Sequence, residues 1–335
     1  MDLELFEDKV RAGKTLREEE FSPYFDFRYV HSSISKGVKF GINVKKPKKP
    51  SYLIIGTHGW HMSISKFRHL DAPISEYLEV EVDMRGRAYS TGEADCNGYE
   101  LYDVYDAVQF VIKEYKEYLL STEIIYFEAG SGGGGNALAI AGKFPDLFSA
   151  VNALYPIADY GKWYQFDDKG KEFRDEMDVW IGGTPENNKE AYDSRSGVTV
   201  LPNLLTNLFI IHGTEDIRVP FFMTQDYMKE AKRLGKADKI KLIAMHGVGD
   251  GDHCSNATKR QLALIPRNCR KNVQEHKQVI EIPPEGEFVV AGYLVTKHFE
   301  VFTDIDKVFT IKYNLREKTV QAVDKDYPFK VIWKK

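Results

Sequence analysis

Cysteine is scarce in this 335-residue chain: Cys96, Cys254 and Cys269 are the only three. An odd count without CxxC spacing argues against a disulfide framework and a zinc site, and fits a reducing compartment, so a cytoplasmic protein is expected. Long hydrophobic runs are also lacking. No stretch approaches the roughly 18 apolar residues that cross a bilayer, and the N-terminal Met1-Asp2-Leu3-Glu4-Leu5-Phe6-Glu7-Asp8 is acidic, without the basic flank and apolar core of an export signal. No membrane partner is expected. Basic charge is not in excess either: 46 Lys plus Arg face 50 Asp plus Glu, a net charge of −4, so no nucleic-acid partner is expected. The dense basic cluster Lys45-Lys46-Pro47-Lys48-Lys49 contains proline and lies between strand-like runs, as a solvated turn does. His61 and His69 have no third ligand at metal-binding spacing and read as surface histidines; no metal and no cofactor are expected.

What is present is an ordinary globular composition, 43% hydrophobic and 29% charged. The runs 27–31 and 38–44, separated by Ser35-Lys36-Gly37, read as a hairpin. Strand-like runs then follow at 52–56, 78–83, 123–127, 148–154, 208–212 and 239–245, with helical patterns at 100–115, 137–143 and 222–234. This alternation predicts an α/β fold: a mainly parallel, doubly wound sheet with a leading antiparallel hairpin, whose ligands bind at the carboxyl ends of the strands.

The most informative segment is Glu128-Ala129-Gly130-Ser131-Gly132-Gly133-Gly134-Gly135-Asn136, placed between a strand-like and a helix-like run. Serine on so tight a strand-to-helix turn is presented as a nucleophile, with glycines where side chains would collide. Gly130, Gly132 and Gly135 also satisfy Gly-x-Gly-x-x-Gly, with Asp159 downstream, as in a dinucleotide-binding loop. A third reading is a turn that merely lets a helix approach a sheet.

A serine hydroxyl needs a base, and the base needs a carboxylate to hold its tautomer. Asp216 lies on the loop after the run 208–212, and His253 on the loop after 239–245. The order Ser131, Asp216, His253 is that of a hydrolase on a parallel sheet. His246 is a rival base, although it follows directly on a strand. Glu215 and Asp250 are rival acids, and Cys254 a rival nucleophile too close in sequence to the base to face it. The oxyanion donors are expected at the Gly132 amide and, on the loop Thr57-His58-Gly59-Trp60, at the Trp60 amide. The dinucleotide reading leaves Asp216 and His253 unexplained and follows too late a strand.

With these pieces in order, the chain resembles the α/β-hydrolase superfamily, in its prolyl-oligopeptidase-like and dienelactone-hydrolase-like branches. The resemblance spans roughly residues 26–275. It rests on His58-Gly59-Trp60, the run Asp83-Met84-Arg85-Gly86-Arg87-Ala88-Tyr89-Ser90, the loop around Ser131, and His212-Gly213-Thr214-Glu215-Asp216 with Val219-Pro220. It implies a cofactor-independent hydrolase with Ser131, Asp216 and His253 as its triad. Ala129 stands where the family pattern has glycine, a departure that touches packing more than chemistry. No propeller is expected before the catalytic region, and so no filter that restricts substrates to peptides.

The expected organisation is an N-terminal leader (1–25), a catalytic domain (26–275) and a β-rich C-terminal appendage (276–335) that offers a surface for homo-oligomer formation. Within the catalytic domain, 156–203 breaks the strand-helix rhythm and is rich in aromatics. It reads either as a lid or as a surface insertion packed on the body. Trp163, Tyr164, Trp180 and Phe221 are candidate substrate contacts. The expected function is a carboxylesterase-like serine hydrolase acting on a small-molecule ester through an acyl-enzyme. The alternatives are a peptidase of the same mechanism, with Glu172, Asp175, Glu176 and Asp178 as candidate anchors for a peptide terminus, and a hydrolase-shaped binding or assembly protein.

Overall fold

The computed structural model describes residues 25–64, 75–167 and 173–334. The expected leader, apart from Phe25, and the residues His69 and Glu172 lie outside them. Among the described residues, eight strands form one sheet: β1 (Phe25–His31), β2 (Lys39–Lys45), β3 (Leu53–Thr57), β4 (Leu78–Val82), β5 (Ile125–Gly130), β6 (Ala150–Leu154), β7 (Asn207–Gly213) and β8 (Ile240–Met245). Their spatial order is β1-β2-β4-β3-β5-β6-β7-β8. β1, β2 and β4 pair antiparallel, and every neighbour from β4 through β8 pairs parallel. β3 and β7 are buried along most of their length, as strands covered on both faces must be.

The covering helices are α1 (Glu100–Glu114), α2 (Gly132–Lys143), α3 (Tyr160–Phe166), α4 (Arg174–Met177), α5 (Lys189–Arg195), α6 (Phe222–Arg233), α7 (Lys259–Leu262) and α8 (Leu264–Glu275). The chain leaves β3 to form β4 on one side and returns to form β5 on the other, so a crevice opens beyond the carboxyl ends of β3 and β5. There the loops after Thr57 and Gly130 face each other.

Two boundaries differ from the sequence expectation for one reason. β5 runs on to Gly130, and α2 starts at Gly132 rather than at Ala137. Glycine in a helix interior is disfavoured by ~1 kcal/mol against alanine, so local propensity places the start too late. Tertiary contact overrides it. A Cβ on Gly134 would lie 2.5 Å from the Leu154 carbonyl oxygen, and one on Gly132 would lie 2.7 Å from the Trp60 nitrogen. Only glycine lets this helix lie so close to β6 and to the loop after β3.

The C-terminal residues build a second, antiparallel sheet. Its strands are β9 (Glu285–Ala291), β10 (Tyr293–Val295), β11 (Phe299–Phe302), β12 (Val308–Asn314), β13 (Thr319–Ala322) and β14 (Lys330–Trp333), ordered β13-β12-β9-β10-β11-β14. One side buries Phe288, Val290, Leu294, Phe299, Phe309 and Ile311 in a core of its own. Tyr293 and Val295 instead join the main core. The Tyr293 ring packs against Tyr102 and Phe144, at 5.5 and 5.8 Å between centroids, and its hydroxyl donates to the Gly98 carbonyl at 2.9 Å. The fully buried Lys143, at the end of α2, donates to the Ala291 carbonyl. The sheet is therefore seated on α1 and α2, through groups contributed by both sides.

Candidate active site

Ser131 stands between β5 and α2 with φ +60° and ψ −122°, a conformation that side-chain-bearing residues seldom adopt. The strain is held in place by close packing around the turn. The Ala129 methyl lies 2.8 Å from where a Cβ on Gly133 would be, so the alanine is accommodated because its neighbour across the turn is glycine.

The three residues expected to act together do meet. His253 Nε2 lies 2.8 Å from Ser131 Oγ, and His253 Nδ1 lies 2.7 Å from Asp216 Oδ2. With a carboxylate on one side, Nδ1 carries the proton and Nε2 accepts from the serine hydroxyl. Asp216 is buried, and its Oδ1 accepts the backbone N–H groups of Arg218 and Val219 at 2.9 and 3.0 Å. Burial alone would raise this carboxyl. Hydrogen bonds from His212, His253 and the Val219 amide outweigh it and hold the group below the usual carboxylate range, so it is ionised. His212 is itself fixed, with Nε2 2.8 Å from the Val219 carbonyl and Nδ1 2.7 Å from Thr224 Oγ1.

The rivals are placed elsewhere. His246, Glu215 and Asp250 are exposed. Cys254 is partly buried, and burial first raises its thiol above the ordinary value, which disfavours the thiolate.

Gly132 is the first residue of α2, where backbone N–H groups have no partner within the helix and the helix dipole is positive. The Trp60 backbone lies directly against it. Both amides expected to receive an oxyanion thus sit at one helix N-terminus beside Ser131. Beside them the His58 side chain is only 7% exposed; its Nε2 accepts the Met84 N–H at 3.1 Å, and desolvation of the ring lowers its pKa to about 4, so it stays neutral. Asp83 accepts from Ser63 Oγ, Ile64 N, Tyr89 N and Ser90 Oγ, and Arg85 holds Asp103 with two bonds of 2.7 Å. These buried polar groups brace the loops that carry the site.

The aromatic insert closes over the same loop. Trp163 and Tyr164 are buried, and Trp180 and Phe221 are half-buried. Trp60 lies among Trp163, Trp180, Tyr160 and Phe173, with centroids 4.9, 4.8, 6.0 and 6.3 Å away. Trp163 Nε1 donates to the Arg218 carbonyl at 2.9 Å, and Phe221 packs edge-on against His212. A small cavity of about 20 Å³ remains behind the Trp60 and Gly132 backbones, walled by Arg87, Glu100, Asn136, Tyr160 and Trp180 among others.

Tyr155 carries no signal in the sequence. Its ring stacks on the His253 imidazole at 4.5 Å and 8°, from a backbone with φ +40°. Only the tertiary fold brings these rings together. His61, read as a surface histidine, is half-buried with Nε2 2.8 Å from Glu176 Oε2, because the insert reaches back to the loop after β3.

The fold that carries this site is shared with known proteins. An acylaminoacyl peptidase from Pyrococcus horikoshii is 21% identical, with a TM-score of 0.63 over 78% of this chain and 43% of its own. An esterase from Pyrococcus furiosus is 15% identical, with a TM-score of 0.55 over 76% of this chain and 92% of its own. A puromycin hydrolase is 14% identical, with a TM-score of 0.62 over 78% of this chain and 40% of its own. The chain thus spans less than half the length of the peptidases it matches. At these identities the likeness establishes the α/β-hydrolase fold. Residues 77–271, more than half of the chain, match the family model of the prolyl oligopeptidase family. The chain belongs to the prolyl oligopeptidase family of serine hydrolases.

Proposed function

We propose that the protein hydrolyses carboxylic esters through an acyl-enzyme on Ser131. The observation that carries this reading is the unbroken relay from Ser131 Oγ through His253 to Asp216, with contacts of 2.8 and 2.7 Å. His253 removes the proton as Oγ attacks the acyl carbon, and Asp216 stabilises the imidazolium that forms. The amides of Gly132 and Trp60 receive the oxyanion. The proton then passes to the departing alcohol, the acyl–oxygen bond breaks, and water attacks the acyl-enzyme with His253 again as base.

The choice of ester over peptide is supported by Glu176, a candidate anchor whose carboxylate is already engaged inside the protein. A peptidase that holds a peptide amino terminus requires an unspent carboxylate near the serine. Glu176 is buried and accepts from Trp60 and His61. Asp178 Oδ2 accepts from the Tyr164 hydroxyl at 3.3 Å, its buried Oδ1 has no hydrogen-bond partner among the described residues, and Asp175 is exposed, so these two remain the carboxylates a peptide terminus would use. The peptidase reading keeps one argument: acylaminoacyl peptidases are among the proteins of similar fold.

Labelling with a fluorophosphonate, mapped by mass spectrometry and paired with Ser131→Ala, tests the mechanism. A single adduct on Ser131 is expected, absent in the variant; an unlabelled wild type, or full turnover by Ser131→Ala, would refute the mechanism. Comparing p-nitrophenyl esters with aminoacyl p-nitroanilides tests the substrate class, and turnover of the anilides alone would reverse the preference.

A further inference from the structure

Glu176 links the aromatic insert to the loop that carries the Trp60 amide. It stands on the short helix α4, with only 7% of its surface exposed. Its Oε2 accepts the indole N–H of Trp60, while His61 Nε2 lies 2.9 and 2.8 Å from its two oxygens. A carboxylate this deeply buried requires such donors, because leaving a buried charge unpaired is strongly unfavourable.

The Trp60 ring also packs against other rings. Trp163, Trp180, Tyr160 and Phe173 surround it. Aromatic pairs tolerate a broad range of centroid distances and tilts, whereas a charge-assisted hydrogen bond fixes direction as well as distance. The Trp60 carbonyl is tied separately, accepting from Arg87 Nη2 at 3.0 Å. Two directed bonds, one at the carbonyl and one at the indole, therefore bracket the Trp60 backbone. The closeness of the Gly132 backbone leaves that amide little freedom on its third side.

We propose that Glu176 is a positioning residue for catalysis: by holding the Trp60 indole and the His61 ring, it aims the Trp60 amide at the oxyanion. This rests on the proposed Ser131 mechanism. It also gives the insert a role beyond covering the site, since the insert supplies the anchor for half of the oxyanion hole. An oxyanion donor acts in the transition state and hardly in the ground state, so a misaimed amide lowers kcat and leaves KM nearly unchanged.

The experiment uses Glu176→Ala, Glu176→Gln, Trp60→Phe and the Glu176→Ala/Trp60→Phe double variant. Trp60→Phe removes the indole donor but keeps a ring and the backbone amide. Turnover of a p-nitrophenyl ester is measured per Ser131 site titrated with fluorophosphonate, so that unfolded protein does not enter the rate. Glu176→Ala is expected to lower kcat roughly 10- to 100-fold, less than the ~10²–10³-fold loss of an oxyanion donor itself. KM should change less than about threefold. Glu176→Gln, which still presents an oxygen to the indole, should recover most of the rate, and the double variant should be no worse than the worse single variant.

An unchanged kcat per titrated site in Glu176→Ala, even with a lower melting temperature, would reduce Glu176 to a structural tie and overturn the proposal. Additive losses in the double variant would overturn it as well. Failure of the underlying mechanism is seen separately, as full turnover by Ser131→Ala.

Discussion

Replacing Asp216 by asparagine changes one atom in the candidate relay and should nearly silence it. The amide has two orientations. With its NH₂ in the place of Oδ1, it would confront the N–H groups of Arg218 and Val219, which lie 2.9 and 3.0 Å from that oxygen. Each unpaired buried donor costs about 1–3 kcal/mol, so this orientation is disfavoured by roughly 2–6 kcal/mol. The NH₂ must then take the place of Oδ2, 2.7 Å from His253 Nδ1. Two donors cannot share that contact, so His253 shifts its proton to Nε2, the nitrogen that must accept from Ser131. The base is present in the wrong tautomer. A loss of about 10⁴-fold in kcat is expected, or about 5.5 kcal/mol of transition-state stabilisation. Turnover of p-nitrophenyl acetate at pH 7.5 would be compared between wild type and Asp216→Asn, with the melting temperature recorded for both. If the variant keeps more than a tenth of wild-type kcat, Asp216 does not set the tautomer of His253 and the relay reading is wrong.

Two further outcomes follow from the packing and from buried charge. Gly134→Ala places a methyl 2.5 Å from the Leu154 carbonyl oxygen and 2.9 Å from Pro156 Cα, both backbone atoms, and should destabilise the protein by about 1–3 kcal/mol; an unchanged melting temperature would show that α2 shifts freely against β6. Burial, with the nearby Asp95 next, raises the Glu100 pKa from 4.5 to about 7, so its contribution to stability is complete below pH 4.5 and lost as pH rises through 7. Burial lowers the Lys143 pKa from 10.5 to about 7, so its contribution is complete above pH 10.5 and lost as pH falls through 7. Together they place a minimum of stability near neutrality, a few kcal/mol deep at about 1.4 kcal/mol per pKa unit. Denaturant unfolding between pH 5 and 10 should show Glu100→Gln flattening the acid side and Lys143→Met the alkaline side; variants that track wild type across the range would refute the assignment.

Sequence periodicity alone determined a great deal. The order of strands and helices, the mainly parallel sheet and the β-rich C-terminal part were legible because buried strands and amphipathic helices impose different apolar periods on the chain. Ser131, Asp216 and His253 were legible because each follows a strand-like run, and a parallel sheet gathers such loops at one edge. The start of α2 was not legible. Helix propensity argues against Gly132–Gly135, and only the approach of Leu154 and Trp60 explains them.

Tertiary structure alone decided how the site is supported. Tyr155 on His253, Glu176 against Trp60 and His61, and the seating of Tyr293 between Tyr102 and Phe144 join residues far apart in the chain. Their chemistry, aromatic stacking and paired buried charge, leaves no periodic mark in a sequence. Trp163 and Tyr164 show the same limit: the sequence marks them only as aromatics in an insert, and the fold alone shows that they are buried.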